Sequence, residues 1–252
     1  MKVKPLVYKL SQQAFDSVVN NSEPGIGVFS EGMNKNKRGK ALVLITEKPN
    51  ILTYQVPVIL ENVFYGAPLP QPSSLFLYQA QLFAANAKVI LEQFPKNVTL
   101  EYQSGEDNFS IVEHNLYYSF LAFKISSLTA TIMSVECFIN SIIPDEFTFQ
   151  NKKGEIDNKQ KIERFWTIKD KFKIIIPAIK PIKDLKKYTS KYEKLIQINS
   201  LRNEFIHLKT TLNLKNMDPF IVHFEELINL DLDICIESAK EFVRIIDENY
   251  FD

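Results

Sequence analysis

The chain has 252 residues, 45% of them hydrophobic and 24% charged, with 30 basic and 30 acidic side chains and only seven glycines. This composition excludes a disordered or fibrous chain and suffices for one large domain or two small ones with a substantial core. Charged residues are expected to interrupt every apolar run before the roughly 20 residues of a membrane span. Met1-Lys2-Val3-Lys4-Pro5 has no apolar signal-peptide core, so the expectation is a cytoplasmic protein with no membrane partner.

Up to about residue 70 the signals are those of strands. "IGVF", "ALVLI" and "LTYQVPVIL" are short, rich in β-branched residues and separated by Gly32, Gly39 and a Lys48-Pro49-Asn50 turn. Leu52, Tyr54, Val56 and Val58 alternate with Thr53, Gln55 and Pro57. That is the pattern of a half-buried strand, with Pro57 placing it at an edge or a bulge. Gly25-Ile26-Gly27 lacks the third glycine and following helix of a dinucleotide loop and reads as a turn. "YGAPLPQPSS" breaks the strand pattern with three prolines and reads as a connector.

Beyond it the periodicity becomes helical. Ser73 or Ser74 caps a helix reaching Gln93, which Pro95 stops. After a polar break at 104–108, a long helix is expected from about Phe109 to Ile143, with Leu128, Ile132, Val135, Ile139 and Ile142 as its apolar stripe. Ile162, Phe165, Ile168 and Phe172 predict a core-facing helix over 160–176, and the Pro177 to Pro181 stretch separates it from another over about 185–209. Asp218-Pro219 opens a C-terminal helical segment to about Glu248. Cys137 and Cys235 fall in apolar helical stretches, as buried thiols do. The expected fold is mainly α, with a strand-rich region at 1–70, a connector and helix at 71–108, and a helical bundle at 109–252.

The net charge of zero conceals an uneven distribution. Residues 151–215 carry 17 basic against 7 acidic side chains, whereas residues 216–252 carry 2 against 10. A basic segment of this kind offers phosphate contacts to a polyanion; the alternative is that its lysines only solubilise helix faces. Within it lies "LRNEFIH", residues 201–207. Ile198, Leu201, Phe205 and Leu208 follow the three–four spacing of a core-facing stripe. At about 100° per residue, Asn199, Asn203 and His207 then share the opposite face, with Arg202 on its flank.

Those residue types suit cleavage of RNA without a metal. A proton must leave the 2′-hydroxyl, another must reach the leaving 5′-oxygen, and charge builds on the phosphorane between them. His207 titrates near neutrality and serves as acid or base. Arg202 stays charged and presents a fork to phosphate oxygens. Asn203 is placed to orient a phosphate oxygen or the imidazole. One such histidine for two proton transfers makes a site shared by two copies attractive. His114 and His223 lack metal-ligand partners at suitable spacing and read as structural, so no metal and no cofactor is expected.

"LRNEFIH" resembles the Arg-x4-His signature of HEPN domains, in which a polar residue, often Asn, follows the Arg. "SSLTATIMSVECFINSII" is similar to the early helix of that family, "IERFWTIKDKFKIII" to the middle helix and "YEKLIQINSLRNEFIHLK" to the motif helix. The resemblance covers roughly residues 109–250. It implies an α-helical bundle, usually a homodimer, with Arg202, Asn203 and His207 near a dimer cleft. In many members it also implies metal-independent endoribonuclease activity in toxins or phage defence, with RNA as substrate and an antitoxin or regulatory partner. Glu136 and Asn199 are the candidate supporting residues. Lys209 stands where some members carry a Tyr that a modifying antitoxin targets. Not every HEPN domain cleaves, and the alternative is a non-catalytic helical module that binds a nucleotide, nucleic acid or partner protein.

Overall fold

The computed structural model describes residues 7–9, 42–45, 51–60, 63–68, 70–104, 107–151, 153–206 and 218–250. The protein is mainly helical with a small strand-containing region, and it divides into two compact units, Met1–Leu75 and Phe76–Asp252. "IGVF", the glycine turn at 25–27, Gly32, Gly39 and the Lys48-Pro49-Asn50 turn lie outside the described residues, as do His207, Leu208 and Lys209.

The first unit contains an antiparallel sheet of β1 (Val7–Lys9), β2 (Leu42–Ile45), β3 (Ile51–Leu60) and β4 (Val63–Pro68). β3 is its spine, pairing with β1 and β2 through its first half and with β4 from Gln55 onward. Gln55 pairs with Leu42 on one edge and Pro68 on the other, so beyond it only β4 pairs with β3 among the described residues. Pro57, which has no N–H to donate, falls in that singly paired half opposite Gly66. The expected connector beginning at Tyr65 is therefore partly strand: β4 runs through Tyr65, Gly66 and Ala67 to Pro68.

The helix α1 (Pro72–Leu91), most of which lies in the second unit, buries Leu77 and the small residues Ala80, Ala84 and Ala87. Small side chains let the next helix approach closely, and Ser127 donates a hydrogen bond to the Ala80 carbonyl at 2.9 Å. The polar break and the start of the expected long helix are instead a hairpin of β5 (Val98–Ser104) and β6 (Asp107–Val112). Helix α2 (His114–Ile142) starts only after it. Glu113 fixes that start, its carboxylate accepting from the N–H groups of Asn115 and Leu116 at 3.0 and 2.8 Å. Those backbone donors hold the Glu113 carboxyl below its usual range.

α2 is the central helix. Leu128, Ile132, Val135 and Ile139 are buried as their spacing predicts, and Ile142 is half-buried. By length and composition α2 is apolar enough to cross a membrane, contrary to the expectation that charges break every such run; more than half of that stretch is buried inside the protein. Lys124 does not break it. Its Nζ donates to the carbonyls of Ile228 and Leu230 at 2.7 and 2.8 Å, so a buried cation closes the end of a neighbouring helix. Burial lowers the Lys124 pKa.

The short hairpin of β7 (Thr148–Gln150) and β8 (Ile156–Asn158) follows, with Gly154 at φ +83° in its turn, a conformation glycine adopts without strain. The expected helix over 160–176 is two helices. α3 (Lys159–Phe165) ends at Trp166, and Thr167 caps a new helix, α4, over 168–179, its hydroxyl accepting from the Asp170 N–H at 3.1 Å. Ile162, Ile168 and Phe172 are buried as expected, but Phe165 is 76% exposed because the break ends the shared stripe.

α4 runs through Pro177 rather than ending before it. A π turn at Lys171–Ile175 widens the helix just ahead of the proline, and the Ile176 N–H reaches back to the Lys171 carbonyl. Since Pro177 has no N–H either, the Phe172 carbonyl receives no donor from four or five residues on. The buried Tyr188 hydroxyl of α5 (Leu185–Ile206) donates to it instead. α5 packs against α2 and α7 (Leu232–Ile246), while α6 (Asp218–Asn229) touches α2 and the end of α5. Asp231 separates the last two helices by capping α7, accepting from the N–H groups of Asp233 and Ile234. Cys235 is buried and its thiol is pushed up to about 11, whereas Cys137 is half-buried.

Candidate functional site

The motif occupies the C-terminal turns of α5. Ile198 and Phe205 are buried in the core and Leu201 is packed against it, so the apolar stripe fixes the rotation of this helix. Phe205 also meets Phe224 of α6 edge to face, with ring centres 5.1 Å apart. Arg202, Asn199 and Asn203 are half-buried rather than freely solvated. The structure brings Arg202 and Asn203 together: Nη1 of the guanidinium donates to Asn203 Oδ1 at 2.9 Å. The Arg202 Nε is shielded from solvent and has no acceptor among the described residues. A buried donor left unmade costs about 1–3 kcal/mol, so among the described residues this N–H is left to be satisfied by an oxygen acceptor.

α6 adds a residue that sequence spacing did not connect to the motif. His223 lies between Glu204 of α5 and Glu226, with ring nitrogens 3.8 and 3.6 Å from their carboxylates. Its Nδ1 is shielded and unpartnered by any hydrogen bond among the described residues. The packing of α6 against α2 and the end of α5, including the contact of Phe205 with Phe224, brings it there, and nothing in the local sequence of either helix announces that packing. His114, by contrast, is exposed at the first turn of α2 and stacks on Tyr118.

Glu136 is half-buried on α2 and lies within the field of Lys171, where it favours the charged ammonium. Lys171 is buried, donates to Asn140 Oδ1 and the Glu163 carbonyl at 3.0 Å each, and has its pKa lowered chiefly by burial. Glu136 is thus placed beside α4.

A second constellation surrounds the β7–β8 hairpin. Asp157 is buried at its base and accepts from Trp166 Nε1 at 2.9 Å, Lys161 Nζ at 3.1 Å and Asn151 Nδ2 at 3.2 Å. The hydrogen bond from Trp166, then that from Lys161, holds its carboxyl below the usual range. The sequence reading assigned no role to these residues. Asn151 at a turn and the only tryptophan were the available signals, but their convergence depends on the hairpin. Among the described residues no three His, Cys, Asp or Glu side chains converge as metal ligands would. Comparison with family models, curated proteins and solved structures returns no match to this chain.

Proposed function

We propose that the protein is a HEPN-like endoribonuclease that cleaves RNA by attack of the substrate's own 2′-hydroxyl. The observation that carries this reading is the Arg202–Asn203 pair, a guanidinium oriented by its neighbour and retaining a shielded N–H that has no acceptor among the described residues. That edge suits a phosphate oxygen on which charge accumulates. His207, five residues on in the sequence, is the imidazole that moves the proton as acid or base. The basic segment at 151–215 supplies further phosphate contacts. With one motif per chain, the reading includes a two-fold dimer whose motif helices face a shared cleft. It also makes a toxin or phage-defence role, with a regulatory partner, the biological setting.

The test is purified protein with end-labelled RNA in EDTA, beside His207→Ala and Arg202→Ala. Cleavage that leaves a 2′,3′-cyclic phosphate and is lost in both variants supports the reading. Cleavage that needs Mg²⁺, or that survives His207→Ala, removes the motif from the active site. RNA binding without cleavage favours the non-catalytic module. A monomer at micromolar concentration sinks the shared cleft.

A further inference from the structure

The hairpin of β7 and β8, together with α3 and the start of α4, lines an open cavity of about 660 Å³. This lies within the range of small-molecule sites, roughly 300–1,000 Å³. Its apolar wall is aromatic. Phe149 and Trp166 meet edge to face at 5.6 Å and 85°, and the bond from Trp166 Nε1 to Asp157 fixes the indole in place. Phe165 also lines the cavity, 76% exposed and with no ring partner among the described residues. A large apolar side chain left outside the core at the mouth of a cavity is a feature the fold itself does not require.

The polar lining narrows the ligand. Lys153 and Lys161 face Glu155, Asp157 and Asp170 around the cavity, and Asp157 is already paired with Lys161. Among the described lining residues two lysines face three carboxylates, so these residues supply no net positive charge, and the aromatic wall rather than a phosphate contact is the feature they offer. What remains is an aromatic wall with donors and acceptors at its rim. A flat, uncharged ring with a hydrogen-bonding edge uses both, whereas a phenyl side chain leaves the rim unused. We propose that this cavity is a base-binding pocket that holds one unpaired nucleobase of single-stranded RNA against Phe165 and Trp166. The proposal rests on the reading of the chain as RNA-directed and adds the place where the RNA is read.

Trp166 is the only tryptophan in the chain, so its fluorescence reports on the pocket directly. The experiment titrates full-length His207→Ala protein in EDTA with penta-adenylate, penta-cytidylate and penta-uridylate, excited at the red edge of the indole band. The expected result is saturable quenching by at least one pentamer, with Phe165→Ala in the same background weakening it by about tenfold or more, as loss of one base-stacking partner does. Phe165→Ala should leave the circular dichroism unchanged because the ring is exposed. Three results overturn the pocket: no quenching by any pentamer, quenching that Phe165→Ala leaves intact, or quenching by N-acetyltyrosinamide alone. Because the readout is independent of cleavage, an inactive motif and an empty pocket give separable outcomes.

Discussion

The end of α5 and the cavity beside the β7–β8 hairpin are opposite kinds of incompleteness. At the end of α5 the apolar side chains are accounted for, with Ile198 and Phe205 in the core, and a polar group is left over: the Arg202 Nε, with no acceptor among the described residues. At the hairpin the buried carboxylate is accounted for, since Asp157 accepts from Trp166, Lys161 and Asn151, and an aromatic ring is left over in Phe165. A leftover donor calls for an oxygen acceptor, and a leftover ring calls for a flat face. On the proposed reading, the first remainder would take a phosphate oxygen of the RNA and the second one of its bases.

The largest expected effect breaks or keeps the first half of that comparison. Arg202→Ala should lower RNA cleavage by about 10² or more, the scale for loss of an electrostatic stabiliser. The thermal midpoint should not fall, because the side chain lies outside the apolar stripe and its loss removes the cost of a buried donor left unmade. Arg202→Lys keeps the charge and loses the fork, so steady-state rates between wild type and alanine would sharpen the assignment.

A buried polar group that is satisfied should behave differently from one that is not. Tyr188→Phe, near the other end of α5, removes the donor to the Phe172 carbonyl that the π turn and Pro177 leave without a helical partner. Urea unfolding should show a loss of about 1–3 kcal/mol. No change would mean that the carbonyl has another donor.

Acid should act on both hairpin and helix starts. The carboxyls of Asp157 and Glu113 have folded pKa values below their ordinary 3.8 and 4.5. Their contribution to stability is therefore complete above those ordinary values and is lost as pH falls through the lower, folded ones. Asp157→Asn should flatten the acid limb of a stability–pH curve; an unchanged limb would contradict the role given to that carboxylate. The smallest expected effect is that of Phe165→Ala on stability, within about 0.5 kcal/mol by urea unfolding, as for an exposed side chain. A larger loss would place Phe165 in the fold and weaken the contrast between the two regions.

Much of the fold was legible in the sequence, for reasons that individual residues show. The stripe of Leu128, Ile132, Val135 and Ile139 was readable because one unbroken helix carries it, and the strand at Ile51–Leu60 because its alternation is regular. Phe165 fits the helical stripe only as far as the break at Trp166, and Thr167-Ile168-Lys169-Asp170 carries the signature of a fresh helix start. The β5–β6 hairpin also left a trace in the alternation of Val98, Leu100 and Tyr102 with Thr99, Glu101 and Gln103. The π turn that lets α4 pass Pro177 had no such trace, since it depends on Tyr188 satisfying a carbonyl from another helix. In the candidate site, Arg202 and Asn203 are legible from the sequence as neighbouring candidates, but the bond between them, like His223 beside Glu204 and the lining of the hairpin cavity, appears only in the fold.

The measurement that bears most directly on the central claim is the product of RNA cleavage by wild-type protein in EDTA, compared with His207→Ala at equal concentration. The account predicts fragments ending in a 2′,3′-cyclic phosphate, formed at a rate about 10² or more above that of the variant. Fragments formed only with Mg²⁺, or formed equally by His207→Ala, would contradict it.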